Sequence, residues 1–300
     1  MKNFIIIDGN ALVHRAFHAI PPLKTKKGQT VNAVYGFASI LFRVIKDLQP
    51  AYLAATFDLA APTFRKIEYE EYKAKRAKAP QELYDQIGLV KKVVEALDIP
   101  IYEKKSFEAD DVIGTIVNKV RAKKLDIEII IVTGDLDVLQ LVDKKTKIYT
   151  SKQGIKNTII YDEKAIAERY GLKPDQIIEF KGLKGDASDN IPGVPGIGEK
   201  TALNLIKEFG NLEKLYQKLE HSDLNPKLQA RLLEYKEKAF FSRRLATIRR
   251  DVPIEFGLRD CQWPGEKKNI SELKKKVIKL LEELEFYTLI KRIPDVLDQI

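Results

Sequence analysis

The sequence predicts an α/β fold in which a mostly parallel sheet with crossover helices comes first and an all-helical part follows. Three observations predict it. Over roughly the first 160 residues, short apolar runs alternate with segments whose apolar residues fall three and four apart. The strand-like runs then stop, and from residue 174 to about 246 short helical stretches are joined by Gly and Pro. With 300 residues and 44% apolar content, the chain can bury the core of one large or two modest domains.

The elements follow in order. Residues 4 to 7 form the first apolar run, and residues 52 to 57 and 127 to 133 form the next strand candidates. Val34, Phe37, Ala38, Leu41, Val44 and Ile45 mark a helix between the first two, and Val112, Ile113, Ile116, Val117 and Val120 mark another ahead of the third. Residues 147 to 150 and 158 to 161 read as a hairpin around Gln153-Gly154, after which Asp162 is placed to cap a short helix ending at Gly171. A boundary near residue 171 gives an N-terminal domain over 1–170, a helical domain over 171–260 and a C-terminal extension or linker over 261–300. In the last of these, Leu273, Val277, Leu280, Leu281 and Leu284 mark an amphipathic helix.

Composition narrows the function. A formal charge of +9 points to a polyanionic partner, although a Lys-rich surface is an equal reading until motifs decide. The single cysteine, Cys261, forbids an internal disulfide and a cysteine zinc site, which fits a reducing cytoplasm. His14 and His18 are four apart, but Arg15 stands where the glutamate of a zinc helix is needed. No run approaches the roughly 18 apolar residues of a membrane span, so the chain is expected to be soluble and cytoplasmic, and a monomer.

The carboxylates carry the chemistry. Asp8, Asp58 and Asp135 each come at, or two residues after, the end of a strand-like run, and sites of open parallel sheets form outside the carboxyl ends of the strands. Any one of them alone would read as a turn residue or helix cap. Beside them stand Glu108, Asp110 and Asp111 at a helix start, Asp137 close to Asp135, and Asp186 and Asp189 in a Gly-rich run. Like charges about 4 Å apart repel by roughly 4 kcal/mol at an effective dielectric near 20, so a converging acidic group calls for cations. Oxygen ligands without His or Cys select magnesium or manganese, and two such ions can hydrolyse a phosphodiester without a protein nucleophile.

Two further stretches bear on nucleic acid. Residues 62 to 80 carry six Lys or Arg with Phe64, Tyr69 and Tyr72 interleaved, which reads either as a solvated surface helix or as a strand-holding element. Residues 193 to 201, Gly-Val-Pro-Gly-Ile-Gly-Glu-Lys-Thr, miss a Walker A motif because Glu199 intervenes and no strand precedes. They read instead as a hairpin between helices whose glycines and following helix N-terminus meet a phosphate, or as an ordinary Gly cap and Pro turn.

The runs Ile7-Asp8-Gly9-Asn10, Phe57-Asp58, Phe64-Arg65, Tyr72-Lys73-Ala74-Lys75-Arg76, Glu108-Ala109-Asp110-Asp111, Thr133-Gly134-Asp135-Leu136-Asp137, Gln140-Leu141 and residues 185 to 193 resemble, in order and spacing, the 5′-3′ exonuclease domain of bacterial DNA polymerase I. The resemblance covers residues 4 to about 250. It implies a PIN-like or Rossmann-like nuclease core related to flap endonucleases, with two Mg2+ or Mn2+ positions. Asp8, Asp58, Glu108, Asp110 and Asp111 would form the first, and Asp135, Asp137, Asp186 and Asp189 would form or support the second. It also implies a helical arch at 62 to 80, where Lys73 and Arg76 steer the scissile phosphate, Arg65 and Arg15 add weaker contacts, and Tyr72 or Phe64 stacks on a base. Residues 193 to 201 would be the helix-hairpin-helix, known as H3TH. There Gly193, Gly196, Gly198, Lys200 and Thr201 would hold duplex DNA, with a K+ ion on the loop carbonyls. Substrates would be DNA with 5′ flaps, nicks or RNA primers, met in lagging-strand maturation and excision repair. A polymerase would be a fused or separate partner.

One position departs from the family: Leu136 stands where a Lys is common between the two acids, which is expected to make the site more acidic. Competing readings are a non-catalytic DNA-binding module that kept the fold, an RNA-cleaving toxin of the PIN type, and the front part of a longer polymerase. A toxin would not need the glycine hairpin.

Overall fold

In the computed structural model, which describes residues 2–153, 157–265 and 269–297, six strands form one sheet in the order β3-β2-β1-β4-β5-β6. They are β1 (Lys2–Asp8), β2 (Tyr52–Thr56), β3 (Ile101–Tyr102), β4 (Ile127–Val132), β5 (Thr146–Gln153) and β6 (Asn157–Tyr161). All pairings are parallel except β5 with β6, the expected hairpin, whose turn at Gly154 lies outside the described residues. The two-residue edge strand β3 was too short to leave a sequence signal.

β1 reads as an unbroken apolar run because both faces of the sheet are covered. Phe4 and Ile6 point into one core, with α5 (Ala109–Ala122) and the helical segment that follows residue 172. Ile5 and Ile7 point into the other, with α1 (Gly9–Ala19), α2 (Asn32–Leu48) and α4 (Gln81–Ala96). The chain leaves β1 toward β2 and β3 on one side and returns to β4 on the other. This reversal opens a crevice at the carboxyl ends of β1 and β4, the place where such sheets bind ligands.

Between β2 and α4, the five-residue helix α3 (Phe64–Glu68) is followed by turns over 70–76 and irregular chain to residue 80. The expected helical arch is therefore helical only over Phe64–Glu68: Tyr69 is extended and ends the helix, and Lys73 adopts a left-handed backbone (φ 56°) that prevents its resuming. After α6 (Glu163–Tyr170), which Asp162 caps and Gly171 ends as expected, the chain is helical: α7 (Ile177–Lys184), α8 (Glu199–Phe209), α9 (Leu212–Lys218), α10 (Pro226–Glu234) and α11 (Lys236–Ala246).

The tail departs from the linker expectation. Within it, α12 (Ile270–Glu283), α13 (Tyr287–Ile290) and α14 (Ile293–Leu297) bury Leu273, Val277, Leu281, Leu284, Phe286 and Leu289 in the core beneath α2 and α4. Trp263 secures the approach, its indole N–H donating to the Leu97 carbonyl at 2.9 Å. The apolar spacing seen in the sequence is the docking face of this layer.

Candidate active site

The crevice widens into a cleft of about 630 Å³ lined by Asp8, Asp58, Glu108, Asp110 and Asp135, with His14, Arg15, Lys73 and Arg76 on its walls. Each acid is set by local structure. Asp8 ends β1 and caps α1, accepting from Ala11 N–H at 3.1 Å, while Thr133 after β4 donates its hydroxyl to the other oxygen at 2.6 Å. Asp58 follows β2 and accepts from the Ala109 N–H at the start of α5 at 2.7 Å; its own N–H donates to Asn10 at 3.0 Å. Asp135 accepts from the Asp137 N–H at 2.9 Å.

Crowding of these acids shows in their proton affinities. Burial, aided by Asp58 and Asp135, pushes Asp8 up to about 7 against the pull of Thr133. Asp110 is raised well above the usual carboxylate range by burial and then by Asp135, Asp8, Asp137 and Glu108. Asp58 is raised as well, mainly by desolvation. Such acids gain by sharing a divalent cation. Among the described residues no group of three or more His, Cys, Asp or Glu side chains is placed closely enough to hold a metal ion. The carboxylate oxygens that converge on the cleft are of the donor type that a hard cation such as magnesium takes.

Asp111 does not belong to this group. It is fully buried and paired with Arg65 through two hydrogen bonds of 2.7 and 2.8 Å, and it also accepts from the N–H groups of Glu108 and Arg249. Arg65 in turn is 2% exposed and spends its remaining donors on Glu108 and the carbonyls of Leu245 and Thr247, so it is a strut rather than a DNA contact. Leaving one member of such a pair buried alone costs about 3–5 kcal/mol. Phe64 packs against Arg65, Arg249 and Phe107. Tyr72 is likewise buried, its hydroxyl 3.0 Å from Glu108 and 3.1 Å from Asp189, which removes it as a stacking platform.

Of the second acidic group, Asp135 joins the first in the cleft, whereas Asp137, Asp186 and Asp189 are paired with cations. Lys73 lies 2.8 Å from Glu108 and 3.7 Å from Asp189, and Arg76 reaches Asp189 at 3.2 Å. Lys181, which sequence reasoning missed, donates to Asp186 at 2.7 Å and also to Asp137. Asp137, Asp186 and Asp189 do not line the cleft. As arranged, each of them already has a cationic partner. Leu136 lines the cleft, and the expected gain in acidity is offset behind it by Lys181.

The glycine hairpin joins α7 to α8. Gly193 (φ 62°) presses against the backbone of Gly185, and Gly196 (φ 77°) lies under the Arg231 guanidinium. Gly198 caps α8 with open space beside it, leaving Lys200 exposed and Thr201 half-buried on the first turn.

Known proteins resemble the chain in sequence and in fold. The 5′-3′ exonuclease N-terminal resolvase-like domain matches residues 3–171, and the 5′-3′ exonuclease C-terminal SAM fold matches residues 172–269. DNA polymerase I of Bacillus subtilis (strain 168) is 40% identical over 292 residues, 97% of this chain and 32% of the relative. DNA polymerase I of Chloroflexus aurantiacus is 43% identical over 301 residues, 97% of this chain and 31% of that protein. The chain thus spans about a third of the length of these relatives. In three dimensions it is similar to T5 D15 protein co-crystallised with metal ions (TM-score 0.67, 21% identity, 94% of this chain and 99% of that chain). It is also similar to the catalytic core of Rad2 in complex with DNA substrate (TM-score 0.55, 18% identity, 97% and 92%). Among the described residues no helix is long and apolar enough to cross a membrane. With both halves matched in succession, the chain is a nuclease that belongs to the 5′-3′ exonuclease family.

Proposed function

We propose that the chain is a divalent-metal-dependent, structure-specific 5′ nuclease that hydrolyses phosphodiesters at 5′ ends and 5′ flaps of DNA and of RNA primers. The observation that carries this reading is the convergence of Asp8, Asp58, Asp110 and Asp135 at the crevice, with Asp8 and Asp110 driven toward protonation by burial and by neighbouring carboxylates. Asp8, Asp58, Glu108, Asp110 and Asp135 are the residues that would hold the cation. A cation bound there supplies Lewis-acid polarisation of the phosphate and a lowered pKa for water.

The protein's own groups do the rest. Lys73 and Arg76 face the cleft from the turns at 70 to 76 and balance the phosphate that enters beside the acids, so the like-charge cost of bringing DNA to carboxylates is offset. For His14, burial and the nearby Arg76 lower the proton affinity, which leaves it neutral on the cleft wall. The N-terminus of α8, with Lys200 and Thr201, faces outward and suits a backbone phosphate of the duplex held away from the cut. The physiological setting in this reading is flap and primer removal in lagging-strand maturation and excision repair, with a polymerase, fused or separate, supplying the nick.

The test uses a 5′-labelled flap duplex. Cleavage should require Mg2+ or Mn2+ and stop with chelator, and Asp110→Asn should slow it at least about a hundredfold while duplex binding persists. Chelator-resistant cleavage, or an unchanged rate in the variant, would sink the proposal. Binding without any metal-stimulated turnover would instead favour a DNA-holding module.

A further inference from the structure

Lys181 sits on the last turn of α7, and its ammonium lies between two carboxylates from separate segments. Asp137 opens the 3-10 turn Asp137–Leu141 that follows β4, and Asp186 lies in the loop after α7. The Lys181 side chain is 13% exposed and the carboxylates 24% and 16%, so the triad is sheltered from bulk water. Each partner is braced. The other oxygen of Asp186 accepts from the Ser188 N–H at 2.9 Å and the Ser188 hydroxyl at 2.6 Å. Gln140 ties the Asp137 carbonyl to that of Ala246.

We propose that Lys181 is a built-in counter-ion for Asp137 and Asp186, supplying the charge that a second divalent ion would bring, so that this chain holds one ion tightly, at the Asp8, Asp58, Asp110 and Asp135 side, and binds any second ion far more weakly. The inference rests on the first-ion reading above. Three observations support it. An ammonium already hydrogen-bonded to both acids must be displaced before a divalent ion can take its place, at a cost in Coulomb energy that the shelter of the triad increases. Both oxygens of Asp186 are already engaged, one by the Lys181 ammonium at 2.7 Å and the other by the Ser188 N–H and hydroxyl at 2.9 and 2.6 Å, so this carboxylate is satisfied without metal. Finally, Leu136 leaves no cation between Asp135 and Asp137 along the chain, and Lys181 brings one to the same acids from α7. Asp189 is treated alike by Lys73 and Arg76.

The experiment is a Mn2+ titration of the whole metal-free chain at fixed ionic strength, with free Mn2+ followed by electron paramagnetic resonance. The wild type should take up one ion tightly. Lys181→Met should gain a second tight ion, its affinity raised at least tenfold, whereas Lys181→Arg should behave as wild type. Asp137→Asn should leave the tight step unchanged. Two ions of comparable affinity in the wild type, or superimposable isotherms for wild type and Lys181→Met, would overturn the proposal. If Lys181→Met fails to fold by circular dichroism, the wild-type stoichiometry and the Asp137→Asn titration still decide. Asp8→Asn separates the two readings: it should abolish the tight step, and its failure to do so would defeat the first-ion assignment whatever Lys181 does.

Discussion

At the scale of the residue, the chain uses the same side-chain type for opposite purposes. Asp8 and Asp111 are both buried acids, but Asp111 is matched by a guanidinium and Asp8 by a hydroxyl and one N–H. The unmatched acid should leave a mark on stability. With its folded-state affinity raised from 3.8 to about 7, Asp8 binds its proton more tightly folded than unfolded. It therefore costs nothing below about pH 4, where both states are protonated, costs progressively more from pH 4 to 7, and costs the full amount above pH 7. Asp8→Asn, in chelator, should thus gain stability relative to wild type across that window, by up to about 4 kcal/mol. Urea unfolding at pH 4 and pH 8 measures it. A difference between the two proteins that does not change with pH would show that burial and the neighbouring acids do not raise the proton affinity of Asp8.

At the scale of the element, the hairpin between α7 and α8 and the turns at 70 to 76 both depend on backbone that helices cannot supply. A side chain at Gly193 would fall on the backbone of Gly185, at a φ of 62° that L residues rarely adopt, whereas one at Gly198 would meet nothing within 4 Å at an ordinary φ of −87°. Gly193→Ala should therefore cost about 1–3 kcal/mol of stability, and Gly198→Ala no more than about 0.5 kcal/mol. Equal thermal melts for the two variants would refute the close packing of the loops. The turns around Lys73 follow the same logic: its N–H donates to the Asp189 carbonyl at 2.9 Å, and Asn190 donates to the Glu71 carbonyl at 2.8 Å. These contacts fold the basic segment down onto the helical part. No local pattern encodes them, so a run rich in Lys, Glu and Arg read as helical over a length that tertiary contacts cut short.

At the scale of the whole molecule, the last layer of helices is part of the nuclease body. Leu281 is 1% exposed beneath α2 and α4, so Leu281→Ala should destabilise the chain by about 2–5 kcal/mol in a single unfolding transition. A separate early transition, with the remainder unchanged, would show that the tail is an appendage. Much of this molecule was legible beforehand. Strand and helix alternation, the caps at Asp162 and Gly171, and acids at strand ends are local or periodic signals, and the crevice follows from strand order. Local pattern alone sets the sheet-then-helices order and places acids at or just beyond the ends of β1, β2 and β4. Which acids are matched depends on long-range packing: Arg65 reaches Asp111 across 46 positions and Lys181 reaches Asp137 across 44, and a cation brought from that far along the chain, in a medium that screens charge poorly, determines which carboxylates are left without a counter-ion.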